Sequence, residues 1–133
     1  MKSEKACGAV IIKEGKTLLI EQLRGDWSFP KGHVEDNETE KETAIREVKE
    51  ETNIDINIIS DKRYVTTYTL PNGVSKTVVF FLAEPISNVL IKQECEIKDI
   101  EYYNFDEAKE LITHNNIRKI FSQVLEDIEI LSK

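Results

Sequence analysis

Cysteine and long apolar stretches are scarce in this sequence, and each scarcity excludes a class of protein. The two cysteines, Cys7 and Cys95, are too few and too far apart for a disulfide framework or a metal knuckle, so we expect both to be reduced. We expect Cys7 to lie on a strand as a small hydrophobe. The longest purely apolar run, Val78 to Ala83, is far too short to span a bilayer. The first ten residues also lack the apolar stretch of a secretion signal, so we expect a cytoplasmic protein.

Positive charge is also in deficit. The 133 residues carry 18 Lys and Arg against 25 Asp and Glu, which gives a formal net charge of −7. Long-range attraction to nucleic acid or to an anionic membrane would be unfavourable, which argues against a general binder of either. A small anionic substrate fits only where metal ions and a local cluster of Lys and Arg meet it. The length and the 40% hydrophobic fraction predict one folded domain over residues 1–133.

The stretch from Phe29 to Ile54 holds more carboxylates than a helix needs. At about 100° per residue, Glu47, Glu50 and Glu51 share one side of a helix. Like charges at that spacing repel and weaken an isolated helix by roughly a few tenths of a kcal/mol per pair. Such clustering calls for a compensating cation, and carboxylate oxygens suit Mg²⁺ or Mn²⁺. A solvated helix face laced with Glu–Lys pairs is the alternative interpretation.

The apolar residues of this helix predict its orientation. Ala44, Ile45 and Val48 form a narrow stripe that we expect to pack on a sheet, with Glu47 and Glu51 at its border. The carboxylates would therefore stand at the rim of a cleft.

Two further features accompany the carboxylates. Arg46 falls on the side of Glu42 and Glu50, where its planar guanidinium can hold carboxylates in place. Upstream, Pro30 and Gly32 predict a loop whose backbone can approach a ligand closely.

The spacing of these residues resembles a known motif, the Nudix box, which is the signature of hydrolases that cleave nucleoside diphosphates linked to another moiety. Asn53 departs from the motif, which usually has glycine there. Asparagine is the next best tolerated residue in the left-handed conformation that would end the helix. The matching positions are Gly32, Glu38, Arg46, Glu47, Glu50, Glu51 and the aliphatic Ile54.

Periodicity and turn signals predict the order of secondary-structure elements, with turns at 14–16 and 71–73. Gly8 marks a close backbone approach or a bulge. The order indicates an α/β protein, and the resemblance implies a Nudix-type α/β/α sandwich with a mixed central sheet. The strands we expect are Lys5–Lys13, Thr17–Leu23, Tyr64–Leu70, Val74–Leu82 and Glu96–Tyr103. The helices we expect are Thr39–Thr52, with Asn37 or Glu38 near its cap, Asp106–Ile112, capped by Asn104, and Asn116–Leu131.

Residues outside the box indicate which branch of the Nudix hydrolases the chain resembles. The box is entered through Pro30-Lys31-Gly32-His33, which looks like the branch that hydrolyses diadenosine tetraphosphate and related dinucleoside polyphosphates. The strand that begins at Lys76 and the segment from Glu96 to Tyr102 are also similar to that branch. Ile97 and Tyr102 stand where the branch usually has His and Trp, and Phe80 stands where tyrosine is common.

The resemblance implies a metal centre and a catalytic set. Bound Mg²⁺, or Mn²⁺, would neutralise phosphate oxygens and lower the pKa of a bound water. Either Glu50 or Glu96 would act as general base, and Arg46 completes the catalytic set. The implied metal ligands are Glu47, Glu50, Glu51 and the backbone carbonyl of Gly32.

The resemblance also implies substrate contacts. Cationic side chains would hold the outer phosphates, and aromatic rings would stack an adenine. The phosphate-binding candidates are Lys31, His33, Lys76 and Arg24. The stacking candidates are Phe80 and Tyr102, with Tyr64 and Tyr68 as further ones.

The activity implied is the asymmetric cleavage of dinucleoside tetraphosphate into ATP and AMP. The alternatives among enzymes are a broader nucleoside di- or triphosphate pyrophosphohydrolase and an RNA 5′-end pyrophosphohydrolase. A Nudix-like module that binds a nucleotide without cleaving it is the alternative from another class, and such modules usually lose the box carboxylates that this chain keeps. We expect a small nucleotide as partner and either a monomer or a homodimer.

Overall fold

A computed structural model of the chain describes residues 3–92 and 97–131. In that part of the chain no helix combines the length and the apolarity needed to cross a membrane. All five expected strands and all three expected helices are present, and their ends differ from the expected ones by at most three residues. The strands are β1 (Ser3–Lys13), β2 (Lys16–Gln22), β3 (Trp27–Ser28), β4 (Lys31–His33), β5 (Ile56–Ile58), β6 (Tyr64–Thr69), β7 (Ser75–Pro85) and β8 (Ile97–Asn104). The helices are α1 (Glu40–Thr52), α2 (Phe105–Leu111) and α3 (Asn115–Leu131).

The centre of the sheet is the pair β1 and β7, which run parallel from Ser3 opposite Ser75 to Ile11 opposite Ala83. The other strand pairs are antiparallel: β4 pairs with β1, β5 and β6 pair with β7, and β2 joins β1 to β3 and β8. The sheet is therefore mixed, as expected. Gly8 of β1 lies opposite Lys31, and a Cβ at Gly8 would lie 2.1 Å from the carbonyl oxygen of Pro30, which confirms the predicted close approach.

The predicted loop around Gly32 is wrong in one respect. Residues 31–33 form the short strand β4, which pairs with Ala6, Cys7 and Gly8 of β1. A strand of three residues is too short to show an alternating pattern in the sequence. Cys7 is a buried free thiol on β1, as expected, whereas Cys95 lies outside the described residues.

Helices cover both faces of the sheet, and the alternation of side chains along β7 divides the core between them. Val78, Phe80 and Leu82 pack in a cluster with residues of α2 and α3. Val79 and Phe81 face the other way and pack with Ala44 of α1. This arrangement is the expected α/β/α sandwich. Among the apolar positions of α3, those that are buried on the sheet are Ile117, Ile120, Phe121 and Val124.

The N-cap of helix α1 lies one residue after Glu38 and two after Asn37, the two predicted caps. Thr39 is the N-cap: its hydroxyl accepts from the Glu42 N–H, and the Glu42 side chain accepts from the Thr39 N–H, which is a capping box. Glu42 is therefore used at the cap and not beside Arg46 as predicted. Asn53 caps the other end with φ of 67°, the left-handed conformation that we expected of it.

The buried face of α1 is turned away from Ile45, which is 41% exposed, so its predicted place in the apolar stripe is wrong. Ala44 and Val48 are buried as expected, and Glu51 extends the buried face along the helix at 7% exposure. The helix is turned this way because Glu51 Oε1 accepts a hydrogen bond from the Lys31 N–H of β4, 2.8 Å away.

The first turn of α1 is also fixed to the rest of the chain by charge. Arg63 donates to both oxygens of Glu40, over 2.6 and 2.8 Å, and Lys5 of β1 forms an ion pair with the same carboxylate. Hydrogen bonds from Arg63 lower the pKa of Glu40 to about 2, against the opposing effect of burial.

Candidate active site

Two adjoining pockets open beside β4. The first, which we call the acidic pocket, has a volume of about 340 Å³ and is lined by four carboxylates together with Gly32 and His33. The second, which we call the tyrosine pocket, has a volume of about 680 Å³ and includes Tyr68 in its wall. Three side chains line both pockets, so the two cavities meet there. The carboxylates are Glu35, Glu47, Glu50 and Glu51, and the shared residues are Gln22, Lys31 and Lys76.

Arg46 organises the carboxylates behind the acidic pocket. Its Nε and Nη2 donate to the two oxygens of Glu38 over 2.6 and 2.9 Å, a bidentate pair. Its Nη1 donates to Glu47 Oε1 at 2.7 Å and to Glu50 at 3.2 Å. Its Nη2 also donates to the backbone carbonyl of His33 at 3.0 Å. One guanidinium therefore joins the loop before α1, the helix itself and β4.

Glu38 is the fixed partner of this guanidinium. Besides Arg46, its Oε1 accepts from the Glu35 N–H and from the Thr43 hydroxyl, both at 2.9 Å. The hydrogen bonds from Arg46 are the largest cause that lowers the pKa of Glu38 to about 2. Glu38 therefore stays ionised and serves as the anchor of Arg46, which explains a carboxylate at this position of the box.

Glu47 lies directly against Gly32. A Cβ at Gly32 would be 1.8 Å from Glu47 Oε2, so the carboxylate occupies the space that a side chain would fill. Burial raises the pKa of Glu47, while the hydrogen bond and the charge of Arg46 act in the opposite direction. A nearby cation would stabilise the charged form of this half-buried carboxylate, which burial disfavours.

The carboxylates of the acidic pocket are ligands of the type that a hard cation prefers, but they are not already arranged in a coordination geometry. Within residues 3–92 and 97–131, no three His, Cys, Asp or Glu side chains converge as a ligand set. Arg46 instead holds Glu47 and Glu50 with the hydrogen bonds described above. The donors are all carboxylate oxygens on one rim of a pocket, which is the ligand type that Mg²⁺ and Mn²⁺ prefer. Glu96, the other candidate base, lies outside the described residues.

The junction of the two pockets is cationic. Burial is the main cause that lowers the pKa of Lys31, and the nearby charge of Lys76 adds to it, whereas Glu51 acts against both. An anion bound between these two ammonium groups would offset their mutual repulsion.

The tyrosine pocket is built from segments that are distant in the sequence. Tyr68 comes from the end of β6, and Leu70 follows that strand. Arg24 and Asp26 come from the loop between β2 and β3, and His114 comes from the linker before α3. Arg24 Nε and His114 Nε2 lie 2.6 and 3.5 Å from Asp26 Oδ2. Burial raises the pKa of Tyr68, so its hydroxyl stays neutral at pH 7.

One wall of the tyrosine pocket is fixed by a link between β3 and the α2–α3 linker. The Trp27 N–H donates to Thr113 Oγ1 at 2.8 Å, and the Thr113 N–H donates to the Trp27 carbonyl at 3.2 Å. The first residues of α3, Asn115 and Asn116, follow at once and line the pocket.

The structure brings most of the predicted site residues together. The acidic pocket is lined by Gly32, His33, Glu47, Glu50 and Glu51, both pockets by Lys31 and Lys76, and the tyrosine pocket by Arg24. His33 is exposed, with its Nε2 3.3 Å from Glu4 Oε2.

The structure contradicts the predicted stacking role of Phe80. Its side chain is fully buried, because the even-numbered residues of β7 face α3, and its ring lies 5.6 Å from that of Phe29. Tyr102 lies outside both pockets: it packs on the cluster beneath α1, with Lys13 Nζ 5.5 Å from its ring. Tyr64 is buried and donates to Asp127. Of the four candidate rings, Tyr68 is the one that lines either of the two pockets beside β4.

Sequence reasoning missed Gln22 and Asn116 as pocket residues. Each lies at the end of a secondary-structure element and belongs to no sequence motif, so only the folded chain brings them to the tyrosine pocket. The sequence gives a weak indication of where Tyr68 points. Because side chains alternate along a strand, Tyr68 lies on the same face of β6 as Tyr64.

Comparison with known proteins agrees with this geometry. The chain is 32% identical to the asymmetrical bis(5′-nucleosyl)-tetraphosphatase of Mus musculus over 123 residues, which cover 80% of this chain and 83% of that protein. It is 32% identical to the m7GpppN-mRNA hydrolase of Saccharomyces cerevisiae over 124 residues, 88% of this chain and 12% of that protein. A crystal structure of a C. elegans Ap4A hydrolase binary complex superposes with a TM-score of 0.84 at 26% identity, covering 95% of this chain and 98% of that one.

The extent of these matches differs among the relatives. The chain spans between 12% and 40% of the length of several curated relatives. The NUDIX domain model, in contrast, matches residues 2–124 of the 133. The predicted resemblance is thereby confirmed, and this protein belongs to the NUDIX domain family.

Proposed function

We propose that this protein is a metal-dependent hydrolase of phosphoanhydride bonds that cleaves diadenosine tetraphosphate asymmetrically into ATP and AMP. The observation that carries the proposal is the junction of the two pockets. An acidic pocket meets a pocket with an aromatic wall at two lysines, Lys31 and Lys76. A substrate with a phosphate chain and a nucleoside at its end matches this order of carboxylates, cations and aromatic surface.

Similarity to tetraphosphatases supports the choice of substrate. The mouse relative carries that activity in its name and is matched over 83% of its length. The C. elegans protein is matched over 98% of its length.

Divalent metal ions complete the proposed centre, since Nudix hydrolases generally need them. We propose Mg²⁺, held by Glu47, Glu50, Glu51 and the carbonyl of Gly32, with Mn²⁺ as a substitute. When bound, such ions neutralise phosphate oxygens and lower the pKa of a coordinated water.

The chain's own residues act around these ions. Arg46 holds Glu47 and Glu50 at the pocket rim and is itself fixed by Glu38. Lys31 and Lys76 bind the non-reacting phosphates and stabilise the charge of the leaving group. Glu50 or Glu96 accepts the proton of the attacking water. The side chain of Glu50 is 52% exposed, against 15% for Glu47, so Glu50 is the more accessible of the two carboxylates that Arg46 holds.

A second candidate function is the hydrolysis of RNA 5′ ends, and the similarity to the yeast m7GpppN-mRNA hydrolase favours it. The net charge of −7 counts against it, because the RNA body would meet a repulsive field. A broader nucleoside di- or triphosphate pyrophosphohydrolase is the other enzymatic alternative. A non-catalytic module is the least favoured, because the three box carboxylates are retained.

Product analysis tests the proposal and separates these alternatives. The protein would be incubated with Mg²⁺ and with diadenosine tetraphosphate, dNTPs, ADP-ribose or 5′-triphosphate RNA, and the products would be resolved by ion-exchange chromatography. We expect ATP and AMP in equal amounts from the first substrate and no product with EDTA. Turnover of another substrate without ATP release from the first would reject the substrate assignment.

A matched pair of variants tests the role of the carboxylates. We expect Glu50→Gln to reduce the rate by about 100-fold or more at unchanged thermal stability. Glu126→Gln, which makes the same charge change on the exposed side of α3, should keep the wild-type rate. Equal rates for Glu50→Gln and wild type would remove Glu50 as ligand or base.

We propose that residues 1–133 act as one domain in the cytoplasm, as a monomer or a homodimer, on small nucleotides.

A further inference from the structure

Gln22 stands at the junction of the two pockets. Among the described residues it is one of three side chains that line both, and the other two are Lys31 and Lys76. A phosphate chain that passes from the acidic pocket to the tyrosine pocket must therefore pass Gln22.

The backbone of Gln22 is held in place. Its N–H donates to the carbonyl of Asp26 at 2.9 Å, and its carbonyl accepts from the Gly25 N–H at 2.8 Å. The pairing of β2 with β8 also shifts by one residue between Glu21 and Gln22. Register shifts of this kind re-aim the side chains next to them and are common beside active sites. The amide is therefore presented to the junction from a fixed backbone.

An amide is well suited to this position. Lys31 and Lys76 already repel each other, and a third cation would add to that repulsion. A glutamine supplies two N–H donors to phosphate oxygens without further charge. A carboxylate at the same place would repel the phosphates and pair with the lysines.

We propose that Gln22 is a specificity-determining residue whose amide donates to a non-reacting phosphate of a linear polyphosphate chain spanning both pockets. This inference rests on the proposed function, because it takes such a chain as the substrate. Gln22 would select ligands by the number of linked phosphates, and a nucleoside monophosphate, which lacks the chain, would gain nothing from it.

Binding measurements test this without any need for turnover. Wild type, Gln22→Glu and Gln22→Ala would be titrated calorimetrically with the α,β-imido analogue of ATP, which lacks the P–O–P link next to the α-phosphate, and with AMP, both with Mg²⁺. We expect the Kd of the imido analogue to rise about tenfold or more in Gln22→Glu and about threefold in Gln22→Ala, because a hydrogen bond to a charged group is lost and, in the first variant, replaced by repulsion. The Kd of AMP should change by less than about twofold.

Gln123→Glu is the matched control, since it makes the same charge change on an exposed position of α3 away from both pockets. It should bind the imido analogue as wild type does, and Gln22→Ala keeps the test valid if Gln22→Glu fails to fold. Wild-type affinity of both Gln22 variants for the imido analogue would overturn the inference, as would an equal loss for AMP. Wild-type protein that binds the imido analogue but leaves diadenosine tetraphosphate intact would refute the proposed function alone.

Discussion

Replacement of Gly32 by alanine should inactivate the enzyme while leaving it folded. A Cβ there would lie 1.8 Å from Glu47 Oε2 and 2.0 Å from Glu47 Cδ, whereas ordinary contact begins at 3.4 Å. The carboxylate must therefore retreat by about 1.5 Å, and a misplacement of about 1 Å in a reacting constellation costs about 100-fold in rate. We expect kcat/KM to fall by about 100-fold or more at saturating Mg²⁺.

The same geometry limits the loss of stability. The clashing atoms are the end of a flexible side chain and not backbone, so the pairing of β4 with β1 survives. The main loss is the 2.7 Å hydrogen bond between Arg46 and Glu47, a charged one that contributes about 2 kcal/mol to the free energy of unfolding.

The assay combines initial rates with thermal unfolding followed by circular dichroism. Gly73→Ala is the control: Gly73 has φ of 84° with no atom within 4 Å of an added Cβ, so its replacement costs about 1 kcal/mol of backbone strain and no activity. A Gly32→Ala enzyme with wild-type kcat/KM would refute the placement of Glu47 in the centre. Loss of the folded state would show that β4 cannot accept a Cβ at all.

Three further changes have defined outcomes. The pKa of Glu40 is lowered to about 2 from 4.5, so the stability that it contributes is present above pH 4.5 and is lost as the pH falls toward 2. Urea unfolding of Glu40→Gln should therefore show about 2 kcal/mol less stability at pH 7 and a smaller loss of stability between pH 4.5 and pH 2 than wild type. An unchanged loss of stability over that pH range would contradict this. Tyr68→Ala should raise KM about tenfold at nearly constant kcat, because base stacking contributes about 1–3 kcal/mol. Tyr68→Phe keeps the ring and should keep the wild-type KM. Equal KM values for wild type and both variants would exclude stacking. Arg46→Lys removes the planar fork to Glu38 and should lower both stability and rate, and a lysine variant with wild-type behaviour in both would show that charge alone is enough.

The acidic helix was predictable because its signals are local. The spacing of Glu47, Glu50 and Glu51 fixes their common side, and Asn53 marks the helix end, whatever the rest of the chain does. The N-cap was misplaced by one or two residues because Asn37 and Thr39 are both preferred caps by type and lie only two residues apart. Thr39 is the one whose spacing to Glu42 allows a capping box.

The aromatic contacts were less predictable because strand periodicity does not say which face is the core. Phe80 and Phe81 are neighbours in the sequence and point to opposite layers, and both layers are covered by helices. The tyrosine pocket depends on tertiary structure still more. Gln22, Tyr68 and Asn116 meet there from three elements, and no local pattern links them.

The link between Trp27 and Thr113 has an evolutionary consequence. It fixes the linker before α3, so that the start of α3 supplies one wall of the tyrosine pocket, while the carboxylates Glu47, Glu50 and Glu51 come from α1 in the other layer of the sandwich. Residues 114–117 thus reach the tyrosine pocket from a stretch of the gene that is well separated from the one that encodes the carboxylates of α1. Substitutions at residues 114–117 would therefore change one wall of the tyrosine pocket without altering the sequence of α1.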